Sequence, residues 1–326
     1  MRRWLARMAP ILHLTRVSSA FAAVGNVWFV ILWTRANDAE VGADFVKTGS
    51  LWLVLPAAAL AAVGLFAYGV CMNDLLDARR DRAMRPDRPM PSGKVSASTA
   101  VTVVAVTLIT AVLGAAPFGT EATVLTLALA ALIILFNAAA KFVPGIGMVV
   151  LGLIYAGHML VPNVQIRFLW PVWVVLTHCV LVFGVSYALA RKTPKISRRA
   201  MVVASLGWAF WSGVLLALAW ARKEEGAVWP EWVPGTAALW IAVLAGLCVL
   251  WCQRRVAATG IGPRAAEKVW RYGALWLTLY GCVWLFAGGH LTEGWILTAL
   301  AVVGFAGMTF LREWYGLLEE PAGYRR

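Results

Sequence analysis

Residues 51–72 read LWLVLPAAALAAVGLFAYGVCM, and residues 73–94, which follow directly, read NDLLDARRDRAMRPDRPMPSGK. The first segment is 22 residues without a charge, the length of a helix that crosses the hydrocarbon of a bilayer. The second is dense in Asp and Arg and belongs in water or at a polar site. In lipid a helix satisfies its own backbone hydrogen bonds, so an uncharged run ending abruptly in charge predicts a membrane helix that leaves the bilayer near residue 73.

Working outward, comparable apolar runs lie at Ser18–Trp33, Ser98–Ala116, Thr123–Ala140, Gly145–Val161, Phe168–Ala190, Ala200–Trp220, Gly235–Cys252, Tyr272–Gly289 and Trp295–Leu311. With Leu51–Met72 they predict an all-α, polytopic membrane bundle of nine to ten transmembrane helices. Composition agrees: 61% of the 326 residues are hydrophobic and 14% charged, too few charges for a soluble globule. Residues 1–17 carry Arg2, Arg3, Arg7 and Arg16 among apolar side chains and read as an interfacial helix. Residues 18–311 read as one transmembrane domain and 312–326 as a cytoplasmic tail.

The net charge of +13 could suggest nucleic acid, but its distribution argues otherwise. With the N-terminus inside, 24 of the 29 Lys and Arg fall in inside segments and 5 outside. That asymmetry orients a multi-pass protein in a cell membrane with the Asp-rich loop cytoplasmic, and leaves nucleic acid no part. The five cysteines lie in or beside apolar segments, which argues against a disulfide framework.

At about 100° per residue, a helix continued through the charged stretch would carry Asn73, Asp74, Asp77 and Asp81 on one face. Clustered carboxylates repel one another unless a cation neutralises them. Mg²⁺ suits hard oxygen ligands and fills its remaining positions with water and phosphate. The nearby Arg79, Arg80, Arg85 and Arg88 suit phosphate oxygens. The same spacing also suits a solvated loop with surface ion pairs. Asn26, Tyr155, Asn163 and Trp208 are candidate cavity-lining residues.

The run Asn-Asp-x-x-Asp-x-x-x-Asp followed by Arg-Pro-x-Pro-Ser-Gly, here Asn73, Asp74, Asp77, Asp81, Arg88, Pro89, Pro91, Ser92 and Gly93, resembles the first aspartate-rich motif of the UbiA superfamily of intramembrane prenyltransferases. Phe136-Asn137-Ala138-Ala139-Ala140-Lys141 resembles the family segment ending in a phosphate-binding Lys, and Arg16 resembles the family's early Arg. The resemblance implies helices around a central cavity, with Mg²⁺ held by Asn73, Asp74, Asp77 and Asp81. It also implies catalytic roles for Asp74, Asp77, Asp81 and Lys141. The donor would be an isoprenyl pyrophosphate, its pyrophosphate bound by Asn73, Arg88, Lys141 and Arg16, and the prenyl group would pass to a small aromatic or lipid-soluble acceptor within membrane lipid.

One part of the pattern is replaced. The family's second aspartate-rich motif would fall after the sixth span, where this chain reads Tyr187-Ala188-Leu189-Ala190-Arg191-Lys192-Thr193-Pro194-Lys195, and no Asp or Glu occurs between Glu121 and Glu224. Three readings follow. Arg191, Lys192 or Lys195 neutralises the pyrophosphate in place of a second metal; or the protein transfers phosphoribosyl to a polyprenyl phosphate; or it is a non-catalytic isoprenoid-binding, transport or accessory protein.

Overall fold

A computed structural model describes residues 10–11, 14–16, 20–86, 88–223 and 228–319, with side chains described only as far as residue 310. Most of the expected interfacial helix at 1–17, and Asp87, lie outside the described residues. Twelve α-helices are present among the described residues: α1 Phe21–Ala36, α2 Asp44–Thr48, α3 Leu51–Leu76, α4 Ala78–Met84, α5 Ala97–Ala115, α6 Thr120–Ala138, α7 Pro144–Leu160, α8 Trp170–Leu189, α9 Arg198–Arg222, α10 Thr236–Thr259, α11 Pro263–Ala287 and α12 Leu291–Glu319. Each apolar run read from the sequence falls on one of these helices. Seven helices have the length and apolarity to cross a membrane, and α1 and α7 are shorter apolar helices.

The centre of the bundle is built from α1, α7, α8 and α11, each packed on two of the others, and α3 joins it through α1. α9 and α10 lie outside this ring, and their large apolar side chains, among them Leu206, Phe210, Trp240 and Leu247, face outward. In water such a surface would aggregate; in a multi-pass membrane protein it meets lipid.

Helix α3, which carries the Asp residues, is fixed by small-residue contact with α5. A Cβ on Gly64 would stand 2.6 Å from the Ala111 nitrogen, and one on Gly114 would stand 2.3 Å from the Ala61 nitrogen. The two backbones touch, an approach that only small residues permit. Asn137 pins the end of α6 to the same helix: its Nδ2 donates to the Gly69 carbonyl at 3.3 Å and to the Ile133 carbonyl at 3.0 Å.

At the opposite end of the bundle, Glu40 holds two loops together. Its carboxylate accepts from Trp33 Nε1 (3.1 Å) and from the backbone N–H groups of Arg167 (2.7 Å) and Phe168 (3.0 Å). Burial raises its pKa above the usual carboxylate value, while these donors and the Arg167 charge pull the other way. Around it Trp33, Phe168, Trp229, Trp232 and Trp284 form one aromatic cluster. Here tryptophan does more than mark an interface, because the cluster closes this end. Asn163 belongs to the same closure, donating to Thr34 Oγ1 (2.9 Å) and the Val41 carbonyl (2.7 Å). Trp208 lies elsewhere, bonded to Thr177 Oγ1 on α8.

Candidate diphosphate and metal site

The helix carrying Asn73 and Asp74 breaks at Asp77, whose φ of −84° and ψ of −2° leave the α-helical range. The hydrogen-bond ladder is nevertheless kept: Asp77 N–H bonds to the Asn73 carbonyl (2.9 Å) and Asp81 N–H to the Asp77 carbonyl (2.8 Å). The i, i+4 spacing therefore survives a small kink, and the three carboxylates stay on adjoining turns. Asp74 and Asp81 are each 6% exposed.

Three cations from three other segments meet them. Arg16, just before α1, donates to Asp74 Oδ1 at 3.1 Å. Arg88 donates through a single nitrogen to Asp74 Oδ1 at 3.1 Å and to Asp81 Oδ2 in a short contact. Lys141 donates to Asn73 Oδ1 at 3.0 Å and Asp77 Oδ1 at 2.9 Å. Asn73 Nδ2 closes the network on Asp74 Oδ1 at 3.3 Å. Each buried carboxylate is thereby matched by a cation, without which burial would cost several kcal/mol per ion.

Local sequence explains how the cations arrive. Lys141 sits in a 3₁₀ turn, Ala140–Phe142, between α6 and α7, and Pro144 opens α7 at a position where proline is tolerated. Arg88 begins a loop folded on itself: Ser92 N–H bonds to the Arg88 carbonyl (2.9 Å) and Val95 N–H to the Pro89 carbonyl (3.0 Å). Gly93 supplies the turn, with φ +78°, where a side chain would be strained. Pro89 and Val95 are buried, and this anchors the loop so that Arg88 faces the carboxylates.

Helix α8 ends beside this cluster in a Schellman turn. Arg191 N–H bonds to the Ala188 carbonyl (3.0 Å) and Lys192 N–H to the Tyr187 carbonyl (3.5 Å), with Arg191 at φ +51° where glycine is usual. The turn folds Lys192 back, its Nζ 5.5 Å from the centre of the Tyr187 ring, and Tyr187 Oη donates to the Pro194 carbonyl at 2.9 Å. Lys192 keeps solvent exposure overall. Partial desolvation nonetheless lowers its pKa, helped by the charges of Arg85, Arg80 and Lys141 and opposed by Asp77. The motif-like Asp residues, Lys141 and Lys192 thus act on one another although they are far apart in sequence. Arg79 and Arg80 are exposed and form no ion pair with the three carboxylates among the described residues, whereas Arg88 is drawn into the network.

No group of three or more Asp, Glu, His or Cys among the described residues converges as a closed metal cage. Oxygen donors on adjoining turns do fit Mg²⁺ in its open mode, in which one or two carboxylates bind the ion and phosphate and water complete the shell.

Sequence reading did not single out the aromatic column rising from Tyr187. Phe183 lies 5.9 Å from Tyr187, 5.9 Å from Trp270 and 6.2 Å from Phe136, and Trp270 lies 6.4 Å from Tyr155. The i, i+4 spacing of Phe183 and Tyr187 was the available signal. Two small spaces continue the column. The lower touches Tyr155, His178, Val182 and Trp270; the upper touches Asn26, Phe29, Tyr280 and Trp284; Leu277 lines both.

A helical bundle with outward-facing apolar helices and a charged pole over an aromatic-lined interior defines a multi-pass membrane protein with a polar site at one end of the bundle. A model of the UbiA prenyltransferase family matches residues 41–266. The chain therefore belongs to the UbiA prenyltransferase family, and that membership implies prenyltransferase activity. Among solved structures, one described as giving structural and mechanistic insights into digeranylgeranylglyceryl phosphate synthase in membranes shares the fold. Its TM-score is 0.56 at 18% identity, over 86% of this chain and 98% of that one. A UbiA homolog from Archaeoglobus fulgidus bound to DMAPP and Mg²⁺ aligns at TM-score 0.46 and 13% identity, over 91% and 98% of the two chains. The same description with GPP and Mg²⁺ gives 0.45 and 14%, over 92% and 99%. No curated protein matches the chain.

Proposed function

We propose that this protein transfers a prenyl group from an isoprenyl diphosphate to a small aromatic or lipid-soluble acceptor, with Mg²⁺. The observation that carries the reading is the paired network at the bundle's charged end: Asp74, Asp77 and Asp81 held against Arg16, Arg88 and Lys141, with Lys192 beside them. Asp74, Asp77 and Asp81, with Asn73, would hold Mg²⁺, which supplies charge neutralisation of the leaving diphosphate. Arg16, Arg88 and Lys141, now bonded to the carboxylates, are the cations available to phosphate oxygens. Arg191 and Lys192 add positive charge on the side where relatives of the family pattern would carry a second acidic motif.

In the reaction the allylic carbon–oxygen bond breaks and its electron pair stays on the diphosphate, where fixed cations stabilise it. The acceptor's nucleophilic carbon forms the new bond, and the proton it loses leaves with diphosphate or water. The faces of Tyr187, Phe183 and Trp270 suit an allylic cation, and the apolar interior keeps water from quenching it. In this reading nine to ten helices cross the membrane and the charged end is cytoplasmic, in accord with the 24-to-5 division of basic residues.

The test is binding of farnesyl diphosphate to the purified full chain with and without Mg²⁺. The expected result is Mg²⁺-dependent binding that Asp77→Asn removes, followed by diphosphate release when an acceptor is supplied. Binding that ignores Mg²⁺ overturns the metal assignment, and lipid binding with no turnover of any donor would make the protein an accessory factor.

A further inference from the structure

Two of the buried polar groups in the bundle lack partners and line the same space. Asn26 on α1 and Trp284 on α11 are each 2% exposed, and neither Asn26 Nδ2 nor Trp284 Nε1 has a hydrogen-bond partner among the described residues. Both border the upper space, with Phe29, Met159, Val175 and Leu277 supplying apolar wall. An indole N–H can only donate, so this end of the space offers hydrogen bonds and asks for an oxygen. A buried donor left unpaired is costly, and a water or another oxygen therefore belongs there.

This polar spot stands at the far end of the column that begins at the charged pole. Along α8 the order is Tyr187 beside Lys192, then Val182 and His178 on the lower space, then Val175 on the upper. From Tyr187 to Val175 is twelve residues of helix, roughly 18 Å. At four chain bonds of about 1.5 Å per isoprene unit, shortened by the zigzag, that depth takes about four units. Each of the two spaces has room for about one water, so a tail following the column would part the side chains that line them, Leu277 among them.

We propose that Asn26 and Trp284 form a polar ceiling that ends the channel for the prenyl tail and so sets the longest donor the protein accepts. The inference rests on the proposed function, since it takes the charged pole as the diphosphate site. An apolar tail that reached the ceiling would expel the oxygen and strand two N–H groups. Tails ending below it lose nothing. Asn26 and Trp284 are specificity-determining residues in this scheme and do not touch the reacting atoms.

The experiment measures dissociation constants of geranyl, geranylgeranyl and geranylfarnesyl diphosphates with Mg²⁺ for the full chain, for Asn26→Leu and for Trp284→Phe. In the unaltered protein geranylfarnesyl diphosphate is expected to bind no better than geranylgeranyl diphosphate. Each variant should improve the long-to-short affinity ratio by about tenfold and leave geranyl diphosphate unchanged. Trp284→Phe keeps ring volume, so it stands if Asn26→Leu does not fold. An unchanged ratio in Trp284→Phe, with geranyl diphosphate still bound, sinks the ceiling and spares the proposed function. Failure of the unaltered protein to bind any of the three diphosphates overturns both.

Discussion

The segment after α3 and the segment after α8 leave the bundle at the same end, within electrostatic reach of each other, yet they are opposite in charge and shape. After α3 the chain stays nearly helical through Asp77, so spacings of three and four residues stack Asp74, Asp77 and Asp81 on adjoining turns. After α8 a Schellman turn with Arg191 in the left-handed region stops the helix and turns Lys192 back toward Asp77 and Lys141. Under the proposed function one segment would offer a metal-binding array and the other cations. The difference teaches that two segments of opposite sign can build one charged pole, and the proposed function gives the ammonium of Lys192 the anion that a second metal would otherwise neutralise, without a metal's coordination geometry.

The strongest way to break the comparison is Asp77→Asn. It unpairs Lys141 and removes a carboxylate from the array, and turnover should fall by about two to three orders of magnitude with Mg²⁺-dependent diphosphate binding lost. Steady-state kinetics and a metal titration read both effects, and a variant that keeps its Mg²⁺ dependence would show the acidic segment to be structural. Next in size is Lys192→Glu, which gives the basic segment the sign of the acidic one. A loss of about ten- to a hundredfold in diphosphate affinity is expected from placing a like charge near the bound anion. No change would mean that the segment serves orientation alone.

A smaller effect sharpens the same point. Because the Lys192 pKa lies below that of a free lysine, raising the pH removes its charge before ordinary lysines titrate. Diphosphate affinity should therefore decline on the alkaline side, and Lys192→Arg should abolish the decline by keeping the charge at every pH measured. Identical profiles for the two proteins would exclude Lys192 from the anion site. Smallest is Arg191→Gly. Glycine relieves the left-handed backbone and should stabilise the fold by about 1 kcal/mol in denaturation, while loss of the guanidinium weakens diphosphate binding a few-fold. Gains in both stability and affinity would remove Arg191 from the site.

Much of the fold was legible because membrane helices announce themselves by length and apolarity, and the ten runs all fell on helices. The kink at Asp77 was not legible, since the residues 73–84 have no proline or glycine to mark it. The acidic array was readable from spacing, as was the absence of acid after α8. What spacing could not give was the pairing: nothing local says that Arg16 and Arg88 share Asp74 or that Lys141 spans Asn73 and Asp77, because those contacts cross 14 to 68 residues of chain. Of the aromatic column and the two unpaired donors, Tyr155 and Asn26 were legible as polar candidates for lining a cavity, and the rest were hidden because uniformly apolar helices do not reveal which face turns inward.

By itself, then, the sequence determined a helical membrane bundle, the asymmetry of its basic residues, an acidic segment after one span and a basic segment after another, because hydropathy and charge order act locally. Only the tertiary structure decided that these segments lie within electrostatic reach of each other, that each carboxylate is paired with a cation, and that Asn26 and Trp284 border one space. Such pairings depend on which helices touch, and here that is set by small-residue contacts such as Gly64 on Ala111 and Gly114 on Ala61, whose effect appears only once the backbones are side by side.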